Sequence, residues 1–138
     1  LAIKSNMTEI THACLSFIML NEAKVLLERR SEEKETDPGL VTIPGGHVED
    51  GETRIQALVR EVQEELDVTP TEYKFLCSLY HPTEELQLIH YFIVSGWKGE
   101  IKPYEADSVE WHTLASAAVE IAADKVALQE LERIQMFL

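Results

Sequence analysis

Three glutamates, Glu61, Glu64 and Glu65, stand at i, i+3 and i+4 near the end of a segment whose apolar residues repeat with a helical period. A helix C-terminus carries partial negative charge, so an exposed acid there costs from a few tenths to about 1 kcal/mol. The like-charged pair Glu61 and Glu65 adds a repulsion of roughly 0.2–0.5 kcal/mol on an open face. A sequence selected for helix stability alone would place Lys or Arg at these positions. Something positive belongs among the three acids. Oxygen-only donors at this spacing suit a hard divalent cation, and Mg²⁺ fits best, because a few carboxylates hold it together with water and substrate phosphates. The alternative is a solvated acidic helix face, and spacing alone does not choose between them.

The helix that carries these acids is well specified. Thr53 and Gln56 have the spacing of a capping box, and Ile55, Leu58, Val59, Val62 and Leu66 form one apolar stripe. At about 100° per residue, Glu61 and Glu65 fall beside one edge of that stripe and Glu64 farther round, so the three can converge from one side.

The whole stretch from Gly46 to Val68, GHVEDGETRIQALVREVQEELDV, resembles the signature of the Nudix hydrolase family, GX5EX7REUXEEXGU with U aliphatic. Gly46 opens the match, Glu52 is the isolated glutamate, Arg60 to Glu65 is the REUXEE core, and Val68 closes it. Asp67 departs from the pattern by standing where the family has glycine. The resemblance implies an α/β fold of the Nudix type, an α/β/α sandwich with a mixed β-sheet. It also implies hydrolysis of a nucleoside diphosphate linked to a further group, with Mg²⁺ as cofactor and Mn²⁺ as a substitute. Carried over position by position, Glu61, Glu64 and Glu65 match the metal-binding glutamates, and Gly45 matches the glycine whose carbonyl joins them. Glu52 and Arg60 match the pair that supports the loop and helix, with Arg60 orienting carboxylates through charge-assisted hydrogen bonds. Glu105 matches a further glutamate of MutT-like members that serves as metal ligand or general base; a plain loop glutamate is the alternative. Arg30, the second of two arginines at a strand end, Gly46 and Asp124 are the expected substrate contacts. Asp124 falls where MutT-like members read a purine edge, with a helix-capping or surface aspartate as the alternative.

Composition sets outer bounds. The 138-residue chain is 45% hydrophobic and 27% charged, enough for one soluble domain with a real core. A formal net charge of −13 argues against a nucleic-acid polymer as partner, since such binders need a basic face. It also makes a cation necessary if two anions, protein and polyphosphate, are to meet. Cys14 and Cys77 lie apart in apolar stretches and read as buried reduced thiols, and His12, His47, His81, His90 and His112 show no zinc-ligand spacing. No apolar run has the length of a membrane span and no signal peptide is readable, so the expectation is a cytoplasmic monomer or homodimer without a membrane partner. Residues 1–6 precede Met7 and read as an expression remnant, leaving 7–138 as one domain.

The elements follow from periodicity and breakers. Ile10 to Leu20 reads as an extended segment, Asn21-Glu22 as a turn, Ala23 to Arg30 as a returning strand, and Ser31 to Gly39 as a loop. Leu40 to Ile43 is a short strand, and Thr69-Pro70-Thr71 reads as a chain break after the helix. Tyr73 to Tyr80 and Leu86 to Trp97 look like a strand pair, Ser108 to His112 like another strand, and Ala115 to Met136 like an interrupted helical region. Tyr80, Tyr91, Phe92 and Trp97 are available to stack on a base, although strand aromatics usually fill cores. For the substrate, a nucleoside triphosphate such as oxidised dGTP comes first and ADP-ribose or another nucleotide sugar second. Pro82 lies one residue off the position of a proline in ADP-ribose-specific members. A nucleotide-sensing module without turnover is the third reading, and the complete set of acids weighs against it.

Overall fold

The computed structural model describes residues 12–102 and 108–138. Seven strands and two helices follow in the order β1 (His12–Asn21), β2 (Lys24–Arg29), β3 (Val41–Thr42), β4 (Gly45–His47), α1 (Arg54–Leu66), β5 (Thr69–Pro82), β6 (Leu86–Lys98), β7 (Ser108–Thr113) and α2 (Ala122–Ile134). The main strand path runs β3-β2-β1-β6-β5, with β4 also paired to β1 and β7 to β2. β1 and β6 run parallel over eight residue pairs and the other pairings are antiparallel, so the sheet is mixed.

Alternation along β1 divides the interior in two. Leu15, Phe17 and Met19 point to one face and pack with Leu58, Val62 and Leu66 of α1. Cys14 and Ile18 point to the other and pack with Ala127, Leu128 and Leu131 of α2. One sheet thus separates two cores, each closed by a helix. This is the α/β/α sandwich.

α1 begins with the expected capping box: the Gln56 amide donates to Thr53 Oγ1 at 3.1 Å and the Thr53 amide to Gln56 Oε1 at 2.9 Å. It ends at Asp67, which adopts the left-handed conformation (φ 60°, ψ 31°) and donates its amide to the Gln63 carbonyl at 3.0 Å. No basic residue lies in its last turn.

Several boundaries differ from the sequence reading. Thr69-Pro70-Thr71 does not break the chain; it opens β5, an edge strand, and the pairing slips between Pro70 and Glu72. An edge position with a bulge tolerates a residue that lacks an amide hydrogen. Ile55 is exposed, because the buried stripe of α1 runs through Ala57, Leu58, Glu61, Val62, Glu65 and Leu66. The C-terminal region is a short 3-10 turn at Leu114–Ser116, an irregular stretch, then α2 from Ala122. β4 was not anticipated, since Gly-Gly-His carries no strand propensity and is extended only because β1 pairs with it. Cys14 is buried and Cys77 half-buried, both free, and burial pushes the Cys14 thiol up to about 12. Among the described residues, no helix is long and apolar enough to cross a membrane.

Candidate active site

The pairing of β4 with β1 sets the site. The Phe17 amide donates to the Pro44 carbonyl and the Val48 amide to the Ala13 carbonyl, each at 2.9 Å. In an antiparallel ladder the groups bonded to the partner alternate, so the carbonyls of Gly45 and His47 point away from β1. The His47 carbonyl accepts from Arg60 Nη2 at 2.9 Å, which shows that this edge of β4 faces the helix. Gly45 presents its carbonyl along the same edge. A Cβ on Gly45 would collide with the backbone of Leu15 and Ser16, which cannot yield, whereas one on Gly46 would displace the Glu61 carboxylate from its place against β4.

Arg60 organises the acids. Its Nε and Nη2 reach the two Glu52 oxygens at 2.7 and 2.9 Å, a bidentate fork, and its Nη1 reaches Glu61 at 2.8 Å and Glu64 at 3.1 Å. The Glu49 amide donates to Glu52 at 2.9 Å, so Glu52 ties the loop before α1 to the helix. The Arg60 hydrogen bonds hold the Glu52 carboxyl down at about 2, and Glu52 in turn pushes the guanidinium further into its charged form. Glu61 and Glu65 are each 6% exposed while the Glu64 side chain is 49% exposed. Two of the three acids therefore sit in the buried stripe and the third at its solvent border.

Gly45, Gly46, Arg60, Glu61, Glu64 and Glu65 line one cleft of about 680 Å³. The donors that Gly45 and the three glutamates offer are a carbonyl and carboxylates, which is hard-cation chemistry, and the glycine backbone leaves room for a close approach. Among the described residues the three carboxylates do not all converge within 4.8 Å of one another; Glu61 and Glu64 meet at Arg60 Nη1.

Arg30 and Asp124 line the same cleft. Arg30 donates from Nε to the Thr36 carbonyl at 3.0 Å and from Nη2 to Thr36 Oγ1 at 3.3 Å, which pins the 31–39 loop at the rim. Asp124 lies in the first turn of α2, 1% exposed. Oδ1 accepts from the Tyr91 hydroxyl at 2.7 Å and Oδ2 from the Ile43 amide at 2.9 Å. Burial pushes its carboxyl up to about 6, although both hydrogen bonds favour the charged form. It is neither a helix cap nor a surface aspartate, and it ties α2 to β6 and to the chain just after β3. Glu105 lies outside the described residues. Of the aromatics, Tyr91 and Phe92 are core, Trp97 stacks on Trp111 with centroids 6.1 Å apart, and Tyr80 is exposed.

The structure adds cleft residues that the sequence did not flag. His81 lies 2.9 Å from Asp37 and closes the 31–39 loop against β5. His12, His47 and Glu85 meet at the rim. A local motif search cannot find either group, because the residues are far apart in the chain and sheet register alone assembles them.

The NUDIX domain family model matches residues 11–132, and the chain belongs to that family. Within it the resemblance is to MutT-like hydrolases. The chain is 38% identical over 72 residues to the 8-oxo-dGTP diphosphatase of Escherichia coli K12, covering 51% of this chain and 56% of that protein. The chain thus spans little more than half the length of that relative. It is 31% identical over 97 residues to the CTP pyrophosphohydrolase of the same organism, covering 68% of this chain and 70% of that protein. The MutT protein of Methanosarcina mazei Go1 shares the fold with a TM-score of 0.83 at 22% identity, over 94% of this chain and 98% of its own.

Proposed function

We propose that this protein hydrolyses the pyrophosphate bond of a nucleoside triphosphate in a Mg²⁺-dependent reaction, as a MutT-like enzyme with oxidised dGTP as the leading substrate. The observation that carries the reading is the Arg60 network, in which one guanidinium holds Glu52, Glu61 and Glu64 against the glycine strand β4. Glu61, Glu64, Glu65 and the Gly45 carbonyl would hold Mg²⁺. The bound ion would supply charge neutralisation of phosphate oxygens and a water of lowered pKa.

The chain's own residues do the positioning. Arg60 aims the Glu61 carboxylate at β4 through a charge-assisted hydrogen bond, while Glu52 fixes Arg60 from the other side. Burial of Glu61 and Glu65 removes competing water from the acids. Arg30, at the rim, offers a planar donor to a phosphate once it turns from Thr36. Glu61 or Glu105 serves as general base in this reading. The relatives named above favour a nucleoside triphosphate over ADP-ribose, since one is a diphosphatase of 8-oxo-dGTP and the other acts on CTP.

A panel of oxidised and ordinary nucleoside triphosphates, CTP and ADP-ribose, assayed with and without Mg²⁺ and with product identification, tests the proposal. The expected result is Mg²⁺-dependent release of inorganic pyrophosphate and a nucleoside monophosphate, with oxidised dGTP preferred. Turnover that survives a chelator, or preference for ADP-ribose, would overturn it.

A further inference from the structure

We infer that the cleft rim carries a second metal site, formed by His12, His47 and Glu85, for a borderline transition-metal ion of the Zn²⁺ class rather than for Mg²⁺. The ligand atoms all lie within 4.8 Å of one another. His12 Nε2 stands 3.0 Å from Glu85 Oε2, and His47 Nε2 stands 3.5 Å from Glu85 Oε1. Donors bound tetrahedrally at about 2.0 Å are about 3.3 Å apart, so the cluster is close to the spacing an ion needs before any ion draws it in.

Backbone pairing builds this arrangement. His47 pairs with Cys14 across β4 and β1, and His12 lies two residues from Cys14 on the same face, which makes the two histidines diagonal neighbours. Their rings lie 4.7 Å apart. On the other side of β1, His12 pairs with Gln87 of β6, and Glu85 precedes Gln87 by two residues. Gln87 Nε2 donates to Glu85 Oε1 at 3.2 Å and orients the carboxylate, the kind of supporting contact that metal ligands ordinarily have. The Glu85 backbone is itself held by Thr83, through its amide to Thr83 Oγ1 at 3.2 Å and its carbonyl from the same hydroxyl at 2.9 Å.

The donor chemistry decides the class of ion. Two imidazole nitrogens and one carboxylate suit Zn²⁺, Co²⁺ or Ni²⁺, whereas Mg²⁺ takes oxygen ligands. Half-exposed imidazoles give an ion access from solution, with side chains 48% exposed at His12 and 51% at His47. Three protein ligands leave the fourth position of a tetrahedral ion to water or to a phosphate oxygen from the cleft. The site does not depend on the Mg²⁺ reading of the acidic cluster, with which it shares no ligand side chain.

Titrating the protein with Co²⁺ in the presence of excess Mg²⁺, followed by visible absorption and calorimetry, tests the inference. One Co²⁺ should bind with the d–d bands of a four- or five-coordinate N/O site. His12→Ala, His47→Ala and Glu85→Ala should each weaken it by at least about 10-fold. Glu65→Gln should retain the bands. Far-UV circular dichroism of each metal-free variant confirms that it is folded. Should His47→Ala fail to fold, His12→Ala decides, since His12 lies at the start of β1. Absence of bands in the parent, bands that persist in His12→Ala, or bands lost in Glu65→Gln would overturn the site.

Discussion

Glu52 on the α1 side of the sheet and Asp124 on the α2 side sit in environments that drive their protonation in opposite directions. On the α1 face, Glu52 receives a bidentate guanidinium and its carboxyl falls to about 2. On the α2 face, Asp124 receives only neutral donors, the Tyr91 hydroxyl and the Ile43 amide, and burial lifts it to about 6. A partly exposed acid gripped by a guanidinium stays charged, whereas a fully buried one drifts toward the neutral form even with two hydrogen bonds to its oxygens. On the α1 side the Arg60 guanidinium is shared by Glu52, Glu61 and Glu64. The acids of α1 thus gather around a shared guanidinium at the open side of the cleft, whereas Asp124 is held by two neutral struts.

The largest effect should come from Glu65→Gln. Mg²⁺-dependent turnover should fall by about 100-fold or more, beyond what a merely supporting residue costs. The melting temperature should hold or rise, because a buried charge leaves a repulsive cluster at a helix C-terminus. Near-normal turnover in this variant would remove Glu65 from the metal site.

Arg60→Ala strikes the other half of the same balance. It leaves Glu52 and Glu61 without their guanidinium, and urea unfolding should show a loss of about 2 kcal/mol, less than for a fully buried pair because Arg60 retains solvent contact. Turnover should fall as well. Unchanged stability would mean that water replaces the network at no cost.

Asp124→Ala should orphan the Ile43 amide and the Tyr91 hydroxyl and cost roughly 1–3 kcal/mol. If Asp124 is purely a strut, the ranking of purine and pyrimidine triphosphates should not move. A shift of about 10-fold or more in that ranking would return it to reading a base edge.

The contrast also predicts opposite pH slopes. Glu52 has its carboxyl lowered from 4.5 to about 2, so its contribution is complete above 4.5 and is lost as pH falls toward 2. Asp124 has its carboxyl raised from 3.8 to about 6, so the folded state binds the extra proton and stability from this group declines as pH rises from 3.8 to 6. Denaturation at a series of pH values should therefore show Glu52→Gln flattening the acid limb and Asp124→Asn flattening the slope between 4 and 6. The same slope in Asp124→Asn as in the parent would refute the assignment.

Asp67→Gly should have the smallest effect. Asp67 holds the left-handed position that glycine occupies at lower cost, so the change should stabilise the protein by about 1 kcal/mol and leave turnover within a few-fold. Loss of most turnover would instead place Asp67 in the site.

The helix and its acids were legible from sequence because every signal there is local. The capping residues, the apolar period and the Glu spacing all act within a few turns, and α1 forms where Thr53 and Leu66 bound it. The Nudix signature carried the family for the same reason, being one contiguous stretch. Even so, the exposure of Ile55 and the burial of Glu61 and Glu65 depend on where β1 lies, which no helical period contains.

Residues that act through the sheet were not legible. Gly-Gly-His becomes β4 only against β1, and Asp124 is buried only because α2 closes over Tyr91 and Ile43. Thr69-Pro70-Thr71 joins an edge strand because β6 offers a partner where a bulge absorbs the proline. His12, His47 and Glu85 become neighbours through the register of two pairings, β4 with β1 and β1 with β6. The sequence by itself determined the contiguous chemistry: the capped helix, its misplaced acids and the glycines before it. Which of those acids are buried, which aspartate is a strut and which histidines meet were decided by the tertiary structure, because strand register couples residues with no local relation in the chain.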